Sequence, residues 1–267
     1  MTEEIISVDG RITPAAEAMI PVKDDGVYRG DGVFEVARLY GGRPYAMDEH
    51  LDRLERSAAQ IELPLDRAAI EAEVDALLAA HGDTDAQIRL VMTRGGRRIL
   101  AIEELPELGP SVSLASVTYS PSVILTGAKT LSYGANMQAT RLAKAQGADE
   151  AVLVRPDGIV LEPPTSTVFW VTADGALRTP RLPAGILDSI TRRRLLETLD
   201  DVEEGDFPLE DLLEAREAFL ASSVREVQPV SSVDGRELDR HGTRTQEARA
   251  AFDQVIADWL ASEGEGS

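Results

Sequence analysis

The sequence contains no cysteine. A disulfide framework, a thiolate nucleophile and a cysteine-ligated metal are therefore excluded. Histidine is scarce, and His50, His81 and His241 are scattered, which argues against a histidine-rich metal site. Lysine is scarce too. Lys23, Lys129 and Lys144 are the only three among 27 basic residues. Arginine stays protonated and does not form Schiff bases, so amine chemistry is confined to these three side chains and the N-terminus. No apolar run approaches membrane-spanning length. The segment MTEEIISVDG lacks a basic-then-apolar signal pattern, so a cytoplasmic protein with no membrane partner is expected. Positive charge is outnumbered, with 47 acidic residues and a net charge of −20. Such a chain is repelled by nucleic acid and anionic membranes, and the charge reads as a solubility feature.

What is present is a globular composition, 43% hydrophobic over 267 residues, enough for one large domain or two ordinary ones. Asp9-Gly10 and Gly41-Gly42 mark hairpin turns. Asp48 is an expected N-cap for a helix through DEHLDRLERSAAQIEL, with Leu51, Leu54, Ala58 and Ile61 on one face. A second helix is expected over 67–81, and strands over 87–93 and 111–119, with the turn Arg94 to Arg98 between them. A connection follows at 121–127. Beyond it come a helix over 134–146, a hairpin turned on Asp157-Gly158, a second around Asp174-Gly175, and a helix in LDSITRRRLLETL. The last expected helix covers 245–260, ahead of a frayed EGEGS tail. The reading is two mixed α+β domains, 1–120 and 128–267, joined by the loop 121–127.

Within this frame a few side chains carry chemistry. Lys129 lies in a small-residue turn without charged neighbours, where a lysine can act as a Schiff-base nucleophile; it can equally be an ordinary surface lysine. Glu162 sits in the apolar, β-branched strand pattern IVLEPPTSTVFWV. It is either an edge-strand acid beside Pro163-Pro164 or the partner of a protonated pyridine nitrogen. Thr191 opens a helix after Pro183-Ala184-Gly185, and a helix N-terminus with free N–H groups accepts phosphate. Arg53 could meet the same phosphate bidentately or be a solvated helix arginine. Arg97 and Arg98 could bind a substrate carboxylate or lie in a solvated loop.

The stretches RGDGVFEVARLY, DEHLDRLERSA, AKTLSY, GADEAVLVRPDGIVLE, GILDSITRRRLLE and SSVREVQPVSSVDG, in this order and spacing, resemble the class IV (fold type IV) pyridoxal-phosphate aminotransferases over nearly the whole chain. That group includes branched-chain aminotransferases, D-amino-acid aminotransferases and aminodeoxychorismate lyases. The resemblance implies a small N-terminal α+β domain, a larger C-terminal pseudo-barrel domain and pyridoxal 5'-phosphate between them, in a homodimer. It implies Lys129 as the Schiff-base lysine and Glu162 as the ring-nitrogen partner. Arg53, Ile190, Thr191 and Ser223 or Val224 would contact the phosphate. Phe34 would line the substrate pocket, with Arg38, Arg97 and Arg98 as further substrate contacts. The implied reaction moves an amino group from an amino acid, of D- or branched-chain type, to a 2-oxo acid, with Lys129 carrying the α-proton.

The chain departs from the family pattern in places. Pro163-Pro164-Thr165-Ser166-Thr167 stands where the family usually has a glycine and small residues ending in asparagine. Gly134 stands where the branched-chain branch has a tyrosine, with Tyr133 one place early. Aminodeoxychorismate lyase activity on the same scaffold is an alternative, and a non-catalytic cofactor-binding or scaffold protein is another.

Overall fold

The computed structural model describes residues 4–264. The last three residues of the expected tail lie outside them. By their contacts the residues divide into two units, Met1–Glu107 with Ala128–Tyr133, and Leu108–Gly127 with Gly134–Ser267.

The first unit is a six-stranded sheet with helices. Its strands are β1 (Ile5–Val8), β2 (Arg11–Pro14), β3 (Gly32–Tyr40), β4 (Arg43–Pro44), β5 (Ala86–Thr93) and β6 (Arg98–Glu103), in spatial order β2-β1-β6-β5-β3-β4. Every pairing is antiparallel. The helices are α1 (Asp25–Arg29), α2 (Met47–Gln60) and α3 (Arg67–His81). Strand alternation puts Val33, Ala37 and Leu39 in the core, where they join Leu51, Leu54 and Ala58 of α2 and Ile70, Val74 and Leu77 of α3. Glu35 has the same parity as those apolar residues and is fully buried. The expected cap of α2 differs. Ala46 occupies the N-cap position in the left-handed region, and no side chain caps the helix. The Arg94–Arg98 turn leads directly into β6, a strand absent from the sequence reading.

The second unit has an eight-stranded sheet. Its strands are β7 (Val112–Thr118), β8 (Glu150–Val154), β9 (Thr167–Val171), β10 (Leu177–Pro180), β11 (Val202–Gly205), β12 (Glu217–Ser222), β13 (Glu226–Val233) and β14 (Arg236–Glu237). The order is β11-β10-β9-β12-β13-β7-β8, and β14 pairs with β13. The helices are α4 (Gly134–Ala145), α5 (Ile190–Thr198), α6 (Leu209–Leu213) and α7 (Thr243–Gly264). All five residues of β8 and all five of β9 are buried, as expected of strands covered on both faces. Val168 and Trp170 pack with Ala218, Leu220 and Leu212. On the opposite side of the same strands, Phe169 stacks on Phe219 with centroids 5.0 Å apart. Ala139 and Ala143 of α4 pack on Ala115, Ala151 and Leu153.

The partition differs from the boundaries read off the sequence in two places. Residues 108–127 group with the second unit, because β7 pairs with β13 and β8. Residues 128–133 group with the first unit, for a backbone reason given below. Glu162 also differs from its expected setting. The arm after the Asp157-Gly158 turn touches β8 through a Val154–Val160 bridge and a few hydrogen bonds, then leaves regular structure at Leu161. Pro163 and Pro164 have no N–H to continue a ladder.

Candidate active site

Lys129 is held by its backbone. The N–H of Phe34 donates to the Lys129 carbonyl at 3.0 Å, and Leu131 N–H donates to the Gly32 carbonyl at 2.9 Å. Thr130 faces Val33 in an antiparallel bridge. The Lys129 N–H donates to Ser57 Oγ of α2 at 3.0 Å. Residues 129–131 therefore extend the sheet along the start of β3, beyond the short stretch where β4 pairs with its end. The glycines of RGDG permit this. Gly30 ends α1 at φ 66°, and its carbonyl accepts from Ser132 Oγ at 3.1 Å. A Cβ on Gly32 would stand 2.3 Å from the Met92 carbonyl oxygen and 2.7 Å from Leu131 Cδ1.

The Lys129 Nζ lies 4.3 Å from the centre of the Phe34 ring and 5.9 Å from that of Tyr133. The two rings meet edge to face at 5.3 Å. Phe34 and Lys129, singled out separately in the sequence, thus form one local arrangement.

Arg53 is buried and bidentate on Glu35, with Nε to Oε1 at 2.6 Å and Nη2 to Oε2 at 2.7 Å. His50 Nδ1 lies 2.8 Å from the same Oε2. Burial alone would raise the Glu35 pKa, but the Arg53 guanidinium and the hydrogen bonds from Arg53 and His50 hold it well below the ordinary carboxylate range. Burial pushes His50 down and outweighs the opposing pull of Glu35, while Arg53 and Lys129 add to the lowering. The sequence reading missed Glu35 and His50. A charged residue of core parity on β3, and a histidine three positions ahead of Arg53 on a helix, are the signals that point to them.

The other arginines are engaged elsewhere in the first unit. Arg97 pairs with Asp9 through Nη1. Arg98 Nε donates to Glu73 at 2.6 Å, and its N–H donates to Asp9 at 2.9 Å. Arg38 shares strand parity with Phe34, and its guanidinium carbon lies 4.8 Å from the Tyr40 ring centre.

In the second unit Glu162 Oε1 accepts from the Leu187 N–H at 2.8 Å. Burial, and secondarily the charge of Glu162, raise the pKa of the Tyr119 hydroxyl. Leu187 lies three residues ahead of Ile190, so this bond ties Glu162 to the loop that enters α5. Ser189 caps α5 by accepting from Arg192 N–H at 3.3 Å. Ile190 and Thr191, both buried, occupy the first turn, where backbone N–H groups have no intrahelical acceptor. Helix α5 packs on β12, and β12 runs into the turn holding Ser223 and Val224. Glu162, Ile190 and Thr191 thus gather at one junction, with Ser223 and Val224 at the end of the adjoining strand.

These groups fit pyridoxal phosphate by their donor chemistry. The first unit offers an amine on a fixed backbone. The second offers a carboxylate able to accept from a pyridinium, and a buried helix N-terminus whose first-turn N–H groups have no intrahelical acceptor and suit phosphate. Among the described residues there is no cluster of three or more histidine, aspartate or glutamate side chains arranged to hold a metal, and no helix long and apolar enough to cross a membrane.

Comparison with known proteins assigns the class. The family model described as amino-transferase class IV matches residues 32–233. A putative branched-chain-amino-acid aminotransferase of Methanocaldococcus jannaschii is 32% identical, over 95% of this chain and 97% of its own. A D-alanine aminotransferase of Listeria innocua is 32% identical over 86% and 88%, and an aminodeoxychorismate lyase of Bacillus subtilis 32% identical over 93% and 92%. The PLP-bound structure of a hypothetical aminotransferase from Mycobacterium tuberculosis superimposes with a TM-score of 0.87 at 27% identity, covering 95% of this chain and 99% of that one. The fold is that of the fold type IV transaminases. The chain belongs to the class IV aminotransferase family, and it is a pyridoxal-phosphate-dependent enzyme.

Proposed function

We propose that the protein transfers an amino group from an amino acid to a 2-oxo acid, with Lys129 as the residue that links covalently to the cofactor and carries the proton at the substrate α-carbon. The donor is of the D-amino-acid or branched-chain type. The observation that carries this reading is the placement of Lys129, whose backbone is fixed to β3 and α2 while its amine lies over Phe34. Two other lysines exist in the chain, so few groups compete for the role.

Bound pyridoxal phosphate supplies an electron-withdrawing ring that accepts the electron pair left at the α-carbon. The chain's own residues do the rest. Glu162, steadied by the Leu187 N–H, accepts from the ring nitrogen. The N–H groups of Ile190 and Thr191, and those of Ser223 and Val224, donate to the phosphate, and Arg53 adds charge. Phe34 gives the substrate an apolar wall. Lys129 would take the α-proton and return it two bonds away, on the far side of the amino nitrogen. Arg38, Arg97 and Arg98 are kept as candidates for the substrate carboxylate. For Arg97 and Arg98 that role requires sharing or leaving Asp9 and Glu73. The proposal carries a cytoplasmic homodimer with it, and sedimentation of the purified protein checks the dimer.

The test uses purified protein with pyridoxal phosphate and a panel of D- and L-amino acids. Wild-type protein should show the visible band of lysine-linked cofactor and lose it with a good donor. Lys129→Ala should lose the band, and turnover should fall by about 10²–10⁴-fold. An alanine variant that keeps both would overturn the assignment. The lyase relative, as similar as the two aminotransferases, favours one second reading. Pyruvate released from aminodeoxychorismate without any 2-oxo acid acceptor would decide for it.

A further inference from the structure

The segment after Glu162 has two consecutive prolines and so lacks two backbone donors. Two of its polar ties are made through side chains. Thr165 Oγ1 donates to Glu150 Oε1 at 3.2 Å, and Asn136 Nδ2 donates to the Pro164 carbonyl at 3.4 Å. Glu150, the first residue of β8, is 4% exposed. Its other oxygen accepts from Arg225 Nη2. Arg225 lies in the β12–β13 turn, immediately after Ser223 and Val224. Its second arm donates to Gln228 Oε1 at 2.7 Å, and Gln228 Nε2 donates to the Gly109 carbonyl at 2.9 Å. Its N–H donates to Ser222 Oγ at 3.2 Å, which closes the turn. A continuous chain of hydrogen bonds, centred on one buried carboxylate, therefore joins the segment after Glu162 to the turn of Ser223 and Val224.

We infer that Glu150 and Arg225 are positioning residues for the cofactor. They set the spacing between the Glu162 segment and the Ser223–Val224 turn, and so the fit to the ring nitrogen and the phosphate at once. This rests on the functional reading above and deepens it. The physical basis is the asymmetry of a buried ion pair. Removing one partner leaves an uncompensated charge, whereas removing both leaves folding nearly unaffected. A device that only stabilises the fold would leave no trace in cofactor binding once both charges are gone. A device that sets spacing would.

The experiment measures, on the full chain, the rate of pyridoxal phosphate release and the unfolding midpoint of the cofactor-free protein. The double variant Glu150→Gln/Arg225→Met should unfold close to wild type yet release the cofactor about tenfold faster, the loss of one charge-assisted hydrogen bond. Thr165→Val removes the hydroxyl's share of the tie at an exposed residue and leaves its backbone N–H in place. It should release the cofactor about threefold faster with unchanged stability, and it decides the matter if the double variant fails to fold. Wild-type release rates in Thr165→Val, or a foldable double variant that holds the cofactor like wild type, would overturn the inference. Wild-type protein that takes up no pyridoxal phosphate would instead overturn the functional reading itself.

Discussion

Each unit holds a buried glutamate paired with an arginine, Glu35 with Arg53 and Glu150 with Arg225, and these two pairs behave oppositely. Glu35 receives both arms of Arg53 and a contact from His50, and its pKa is driven down. Glu150 receives one arm of Arg225 and the hydroxyl and backbone N–H of Thr165, and burial wins, so its pKa is raised. Desolvation is the largest influence on both carboxylates. The number and charge of the donors decide the sign of the shift. A fully enclosed bidentate pair makes a rigid base for β3 and α2. A pair with one shared arm leaves its carboxylate poised close to the cost of its own burial.

The largest effect that would break this contrast is Glu35→Ala. It removes the acceptor of two Arg53 nitrogens in the core and should cost about 3–5 kcal/mol, read from denaturant unfolding. A cost below about 1 kcal/mol would mean that Arg53 finds water or another acceptor. Acid titration sharpens the comparison. The folded pKa of Glu35 lies below its ordinary value of 4.5. Its stabilisation is present above that value and is lost as pH falls below it. Glu150 has a raised folded pKa. The folded state then holds the extra proton, so stability declines as pH rises from 4.5 through that pKa. Glu150→Gln should flatten this upper window and leave the acid loss intact, while Glu35→Gln should do the reverse. Identical pH–stability curves for the two variants would erase the distinction. The smallest effect is expected at the start of α5, just after the loop that Glu162 holds. Ser189→Ala removes the α5 cap and should cost about 1 kcal/mol.

Much of the local structure was legible because its causes are local. Leu51, Leu54 and Ala58 recur at helical spacing, and α2 forms there. Asp9-Gly10 turns the β1–β2 hairpin, with Val8 opposite Arg11. The cap of α2 was misread because the helix starts one residue ahead of Asp48, after a left-handed Ala46 and without a capping side chain. Strand β6 was missed because RILAIE is short and follows a turn dominated by arginine. In the candidate site, Lys129 and Glu162 were legible as residue types, and Phe34 only through family resemblance. Their local bonds were not.

The sequence by itself determined the inventory. One lysine sits in an uncharged turn, one acid stands among apolar residues before two prolines, and the helices and hairpins around them follow from periodicity and turn residues. Only the tertiary structure decided the partners. Lys129 lies on the edge of β3, 95 positions from Phe34 in the chain, and Arg225 reaches Glu150 across 75 positions. Strand pairing and buried charge compensation are settled by which segments meet in space. A residue's neighbours in the chain carry no record of that meeting.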